Sequence, residues 1–274
     1  SGLICFIFIC SQIFSQSIDT LNFNYNEGIY TEKTSDTISE TRYTDDNLIY
    51  KANNKYIFSY KYIDNTGKIF LYERTKNEWR FIPIDSISNN TVVNIELSVK
   101  PDFGLFVKYK STYEQSVIRY LYLSQDDKVL ASESTGLIEN LKNIWMHPPR
   151  TDLFKILELN PFPFIQFPSK KDKNWNWKLI IGKAWSDSRW KLWEGQITNN
   201  YSYTIEDTNK TFSSPQGEIK CLVIKSVANS EIGSTFLTAY FSDIYGFVYL
   251  EYTNIDNSKI ILKLNKILNN TNHK

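Results

Sequence analysis

Asp187 and Glu194 are the side chains of this sequence best suited by type and setting to do chemistry. They stand among Trp185, Trp190 and Trp193. Two carboxylates can supply the acid and the base or nucleophile of glycoside hydrolysis, and aromatic rings stack on the apolar faces of sugars. Retaining chemistry would need the carboxyl groups about 5 Å apart, and inverting chemistry about 6.5–9.5 Å. The spacing weighs against the pair, because residues an odd number of positions apart on one strand face opposite ways. Only a turn near Ser188-Arg189 would bring them together. Surface carboxylates beside structural aromatics are the preferred reading, and glycan binding or cleavage by Trp185, Asp187, Trp190, Trp193 and Glu194 is the alternative.

Other chemistries find less support. The histidines are His147 and His273, the second in a polar tail, so no convergent set of transition-metal ligands is expected. His147 precedes Pro148-Pro149 and reads as a turn histidine rather than the base of a triad. Cys221 alternates with Ile219 and Val223, the setting of an inert core thiol. The sequence holds no Gly-x-Ser-x-Gly elbow, no Walker loop and no Gly-x-Gly-x-x-Gly run. No catalytic residue is therefore assigned, no cofactor or metal is expected, and a non-enzymatic protein is the favoured reading. The formal net charge is +1, with Lys and Arg scattered among acids, which argues against a nucleic-acid partner.

The start of the chain predicts export. Leu3 to Cys10 is an unbroken apolar run, too short for a helix that spans a bilayer, which takes about 20 residues. It has the length of a signal-peptide core, and Ser15-Gln16-Ser17 offers small residues for cleavage after Ser15 or Ser17. Residues 1–17 are thus expected to be a signal peptide truncated at its start. The destination is the periplasm, the outer-membrane surface or the medium. A lipid anchor at Cys10 is the rival, disfavoured by Ile9 where a lipidation motif wants a small residue. With Cys5 and Cys10 removed, Cys221 would stand alone, so no internal disulfide is expected.

The elements that would position any site are strands. The aromatic share is 15%, in a chain of 274 residues. Tyr56, Phe58, Tyr60 and Tyr62 alternate with Ile57, Ser59, Lys61 and Ile63, which puts four rings on one face. Asp64-Asn65-Thr66-Gly67 turns the chain back to a strand over Ile69 to Glu73. Further strands are expected at Glu78–Ile82, Val92–Val99, Leu105–Tyr109, Val117–Ser124 and Val129–Ser134. After residue 174 they resume with Trp175, Trp177, Leu179 and Ile181 and with Tyr201, Tyr203 and Ile205. Ile219–Val227, Thr235–Phe241, Phe247–Tyr252 and Lys259–Leu264 follow. Short connections imply antiparallel neighbours. Ile63 to Ile69 is echoed by Ile255 to Ile260, read as one hairpin chemistry used twice. The fold class expected is all-β, an antiparallel meander of curved sheets or a half-barrel. One short helix is expected near 151–159, started by Thr151 or Asp152 and ended by Asn160-Pro161.

The expected organisation places a polar lead-in at 18–47, with one short strand near Ile29 and Tyr30. A β half at 48–143, a seam at 144–174, a second β half at 175–268 and a tail at 269–274 follow. The seam carries Pro148, Pro149, Pro161, Pro163 and Pro168, so Met146–Pro149 and Pro161–Pro168 are not expected inside a sheet. Its Trp145, Phe154, Phe162, Phe164 and Phe167 are too apolar for a free linker. The seam is therefore expected to pack its rings across one end of the sheet as a plug, preferred over a moving lid. A concave face lined by Tyr56, Phe58, Tyr60, Tyr62, Trp175 and Trp177, bordered by Phe162 and Phe164, is the expected ligand site. Its partner would be a lipid or another apolar small molecule, or no ligand at all if the rings fill the face themselves.

Three segments carry a resemblance: Trp145-Met146-His147-Pro148-Pro149-Arg150, Leu157-Glu158-Leu159-Asn160-Pro161-Phe162-Pro163, and Tyr240-Phe241-Ser242-Asp243-Ile244-Tyr245-Gly246-Phe247-Val248. They resemble a group of exported β-rich proteins of Gram-negative bacteria whose activity is uncharacterised. The region from about Trp175 to Leu264 is also similar to the curved antiparallel sheets of periplasmic lipid- or lipoprotein-handling domains. The first resemblance implies export and a β-rich fold. The second implies only a fold pattern.

Overall fold

The computed structural model of the chain describes residues 23–32, 47–76, 78–101, 115–215 and 217–268. The expected signal peptide with its Cys10 alternative, the strand at Leu105–Tyr109 and the polar tail lie outside these residues. Strands take up 62% and helix 5% of the structure, which makes it all-β.

The strands are β1 (Phe23–Asn26), β2 (Ile29–Glu32), β3 (Lys55–Ile63), β4 (Ile69–Arg74), β5 (Trp79–Pro83), β6 (Thr91–Val92), β7 (Asn94–Val99), β8 (Ser116–Leu123) and β9 (Val129–Glu139). They continue with β10 (Asn143–Met146), β11 (Phe164–Gln166), β12 (Asn174–Gly182), β13 (Gln196–Ser214), β14 (Gly217–Ser230), β15 (Gly233–Ser242), β16 (Gly246–Thr253) and β17 (Lys259–Leu268). β1 and β2 form a separate hairpin. Among the described residues, the rest make one sheet of 15 strands in the order β11-β10-β9-β8-β7-β3-β17-β16-β15-β14-β13-β12, with β4, β5 and β6 branching from β3. Every ladder is antiparallel, and the sheet curls until it is nearly closed into a barrel.

The two stretches of strands meet in the middle of this order. β3 lies beside β17 through pairs such as Tyr60↔Leu262 and Ile63↔Lys259. The two echoed turns lie next to each other where these strands begin and end. Asp64 Oδ1 accepts bonds from the Thr66 and Lys68 amides, and Asp256 Oδ1 accepts one from the Ser258 amide. Gly67 has φ +86° in the first turn, and Asn257 supplies φ +63° in the second. The left-handed region suits Gly and Asn, so one turn chemistry serves both.

Alternation decides which side chains face inward. On β3, Tyr56, Phe58 and Tyr60 are buried, while Tyr62 is half-buried against Phe70 and Phe81 at the root of the branch. On β12 and β13, Trp175 pairs with Tyr203 and Trp177 with Tyr201. These cross-strand rings are stacked, with centroids 5.4 and 4.7 Å apart. Direct cross-strand aromatic pairs of this kind fix register as well as burial.

Two expectations need correction. The seam's prolines do stay out of the ladder, but the proline-free residues Phe164–Gln166 between Pro163 and Pro168 form β11. As an edge strand β11 needs only one partner, β10. Met146 ends β10, paired with Leu137, so the seam contributes two strands to the sheet. The helix is present over Asp152–Leu159, but it is a 3₁₀ helix. Thr151 precedes it with no side-chain capping bond. Its three-residue repeat aligns Leu153, Ile156 and Leu159, which are all buried.

Where the chain comes into the barrel after residue 46, one carboxylate fixes it. Glu139 on β9 accepts bonds from the backbone amides of Leu48, Ile49 and Tyr50, each 2.8 Å long. The Tyr50 ring then crosses to β16, where its hydroxyl accepts the Phe247 amide at 2.9 Å. Gly246 makes room for it, because a Cβ there would meet the Tyr50 hydroxyl at 2.4 Å and the residue has φ +74°. Glu139→Ala is expected to cost about 2–3 kcal/mol, since it leaves three donors without their acceptor. Chemical denaturation measures it, and a loss below about 0.5 kcal/mol would mean that water replaces the carboxylate.

Candidate functional site

Residues 147–164 run through the interior and are held there by inward-facing side chains from both halves of the sheet. Tyr120 on β8 donates its hydroxyl to the His147 carbonyl at 2.7 Å. Tyr203 on β13 donates to the Phe162 carbonyl at 3.1 Å. The Leu159 carbonyl accepts from Asn199 on β13 and Thr235 on β15, both at 2.8 Å. Asn160 donates back to the Thr253 carbonyl on β16 at 3.0 Å. A segment with little regular structure has few backbone partners of its own, so the barrel wall satisfies its carbonyls with hydroxyls and amides.

The plug sends three rings into three aromatic slots. Phe154 lies among Tyr60, Tyr72 and Tyr122, with centroids 5.3, 4.6 and 5.3 Å away. Phe162 meets Trp145, His147 and Trp177 at 5.7, 5.0 and 5.2 Å. Phe164, on β11, packs edge-on to Trp175 and Tyr203 at 5.9 and 5.3 Å. Phe154, Phe162 and Phe164 are 0%, 0% and 1% exposed, so these slots are filled. Of the expected ligand-site residues, Tyr60, Trp175 and Trp177 thus meet plug rings. Phe58 is buried elsewhere in the core. Tyr56 packs on Tyr50 and donates its hydroxyl to the Ile49 carbonyl. Tyr60 donates to the Val92 carbonyl and accepts the Tyr72 amide.

Polar groups are buried with the rings. Burial lowers the His147 imidazole to about 3, helped by the neighbouring Arg150 charge, so the ring is neutral throughout the physiological range. Glu158, on the inward face of the 3₁₀ helix, is pushed up to about 7 by burial, against the pull of Arg150. Arg150 Nη1 is 3.9 Å from its Oε2, too long for a hydrogen bond. Glu133 on β9 completes the group, accepting the Tyr122 hydroxyl at 2.6 Å and the Arg150 amide at 2.8 Å. Sequence reading did not single out Glu133, Arg150 or Glu158. Glu158 carried a signal nonetheless, an acid between Leu157 and Leu159 in the most apolar part of the helix.

The tryptophan loop after β12 covers the outer end of the plug. Arg150 and Lys155 lie over the Trp185 ring at 5.6 and 5.8 Å, and Arg189 lies over Trp190 at 4.8 Å. Arg189 also bridges Asp152 and Asp187 at 2.7 and 2.8 Å, joining the loop to the first residue of the helix. Trp193 is buried with Leu159, Ile181 and Ile197. The two carboxylates considered for glycan chemistry therefore have separate cations. Asp187 is held below the usual carboxylate range by its bonds to Arg189, and Glu194 pairs with Lys183 at 2.6 Å.

The remaining candidates read as structural. Cys221 is a buried free thiol pushed up to about 11 by burial, which makes it a poor nucleophile. Among the described residues, no group of three or more His, Cys, Asp or Glu could hold a metal ion. Among the same residues, no helix is long and apolar enough to cross a membrane.

Fold and site together define an all-β protein with one large antiparallel sheet, nearly closed and filled by its own seam. No protein-family model matches the chain. No curated protein matches it either. Solved structures that match it in part include a candidate exported protein with YmcC-like fold from Bacteroides fragilis. It has 11% identity and a TM-score of 0.44, over 81% of this chain and 98% of that one. A candidate lipoprotein from Parabacteroides distasonis has 10% identity and a TM-score of 0.39, over 81% and 97%. The hypothetical lipoprotein YmcC from Escherichia coli has 12% identity and a TM-score of 0.34, over 78% and 84%. These neighbours are exported proteins or lipoproteins by description, and likeness at this level carries no argument about what the chain does.

Proposed function

We propose that this chain is an exported, non-enzymatic β-sheet protein whose aromatic interior takes an apolar, lipid-like ligand only in exchange for rings of its own plug. The observation that supports it is the filling of three slots between inward-facing aromatics by Phe154, Phe162 and Phe164. Flat apolar slots with polar groups at their margins suit an apolar chain with a small polar end, and here the protein's own segment stands in that place. Export rests on the apolar run Leu3–Cys10 followed by polar sequence. The glycan alternative is not carried further, because Asp187 and Glu194 are each engaged by their own cation.

Two measurements test this reading. N-terminal sequencing of the protein recovered from cells should find a chain beginning after Ser15 or Ser17. A chain that still carries the whole run Leu3–Ser15 rejects export, and a lipidated Cys10 selects the anchor. For the ligand, a fluorescent fatty acid titrated into the parent protein should bind weakly, and Phe162→Ala, which vacates a slot, should bind it about tenfold more tightly. Equal absence of binding in both proteins, with the variant still folded, rejects the ligand.

A further inference from the structure

The two edges of the large sheet, β11 and β12, are consecutive in the chain but share no ladder. The β1–β2 hairpin lies across the seam between them. Its Glu27-Gly28 turn has φ +51° and +113°, the pair of left-handed residues that a tight two-residue hairpin turn requires. On the β11 side, Gln166 donates its side-chain amide to the Gly28 carbonyl at 2.7 Å. On the β12 side, the turn lies so close to the backbone that a Cβ on Gly28 would meet the Asn176 carbonyl oxygen at 2.2 Å. Glu27 pairs with Lys178 of β12 at 3.0 Å.

The body of the hairpin is gripped by the β9–β10 turn. Asn143, fully buried, accepts the Tyr30 amide at 2.7 Å and donates to the Tyr30 carbonyl at 3.1 Å. Asn140 donates to the same carbonyl at 2.9 Å. Three side-chain amides thus read the hairpin's backbone, while Ile29 and Thr31 point into the protein and β1 faces solvent. A hairpin of four-residue strands is marginal by itself, so it stays formed by docking, and it can undock without unfolding the sheet.

We propose that the β1–β2 hairpin is a clasp whose docking between β11 and β12 controls opening of the barrel seam. Phe164 of β11 and Trp175 of β12 meet edge-on across this seam. Release of the clasp therefore uncovers the aromatic slot that Phe164 fills, whether or not the interior takes a ligand.

Amide hydrogen exchange on the full chain tests the clasp. Gly28→Val places a side chain against the Asn176 backbone and forces a left-handed residue to carry a β-branch. Exchange in Phe164–Gln166 and Asn174–Ile181 should rise about tenfold or more, with β15 and β16 changed by less than about twofold. Gln166→Ala, which removes only the bond to the turn, should give about a threefold rise in the same two strands, and it decides the matter if Gly28→Val does not fold. Unchanged exchange at the seam, or a rise spread equally over β15 and β16, overturns the clasp.

Discussion

Phe162→Ala is expected to remove about 4 kcal/mol of stability, the middle of the range for truncating a fully buried Phe. Phe162 has no exposed surface and sits between Trp145, His147, Trp177 and Tyr201. The loss combines the transfer term for the ring with the cavity left behind, and collapse is limited. The slot walls are strands tied into ladders on both sides, and the Phe162 carbonyl is itself held by Tyr203. For a chain of this size the shift in Tm should be about 10 °C. Leu192→Ala is the control. Leu192 is 67% exposed, and its loss should stay within about 0.5 kcal/mol. If Phe162→Ala costs less than about 1 kcal/mol, and the parent is cut rapidly by protease between Pro148 and Pro168, then the seam is a loose lid and the packed plug is refuted.

Glu158→Gln is expected to stabilise the protein above pH 7 by about 3 kcal/mol and to leave it unchanged near pH 4. The direction follows from the raised pKa. In the unfolded chain the carboxyl ionises near its ordinary value of 4.5, whereas in the folded barrel it stays neutral to about 7. The neutral carboxyl's contribution is fully present below pH 4.5. It is lost as pH rises to about 7 and is constant beyond. Gln removes the ionisation, so the variant should lack this fall. The groups facing Glu158 are Arg150 at the start of the plug, Glu133 on β9 and Tyr201 on β13. Arg150 offsets part of the effect of burial and Glu133 adds to it, and the Arg150 side chain should keep its place over Trp185 in the variant. The measurement is the denaturation midpoint of both proteins from pH 4 to pH 8. Parallel curves across that window would show that Glu158 is ionised in the fold, with Arg150 as its full partner.

Much of this molecule was determined by local pattern. Alternation put Tyr56, Phe58 and Tyr60 on the inner face of β3, and Trp175 with Trp177 on that of β12, because a strand's side chains reverse face at every residue. Turn residues at 64–67 and 254–257 fixed the hairpins. The density of such strands with short connections required an all-β, antiparallel fold. The rings of the seam required burial, since Phe154, Phe162 and Phe164 are too apolar for a solvated linker.

Tertiary structure decided the rest, for reasons of distance along the chain. Whether the two stretches of strands made two sheets or one turned on the β3–β17 ladder, whose partners such as Ser59 and Lys263 are separated by 204 residues. Local periodicity carries no record of such a pairing. The position of the plug inside the barrel depended on hydroxyls and amides from β8, β13 and β15, each satisfying a carbonyl that a 3₁₀ helix and a proline-interrupted segment leave open. Phe164–Gln166 became a strand because β10 offered an edge. The burial of Glu158 beside Arg150 arose from the same docking. Of the hairpin at Phe23–Glu32, the strand expected near Ile29 and Tyr30 is present as β2, but its partner β1 was not legible in the sequence. The hairpin's grip came from Asn140, Asn143 and Gln166, more than a hundred residues away. A marginal hairpin gains its stability from that contact, and the contact exists only once the sheet has curled far enough to bring β11 beside β12.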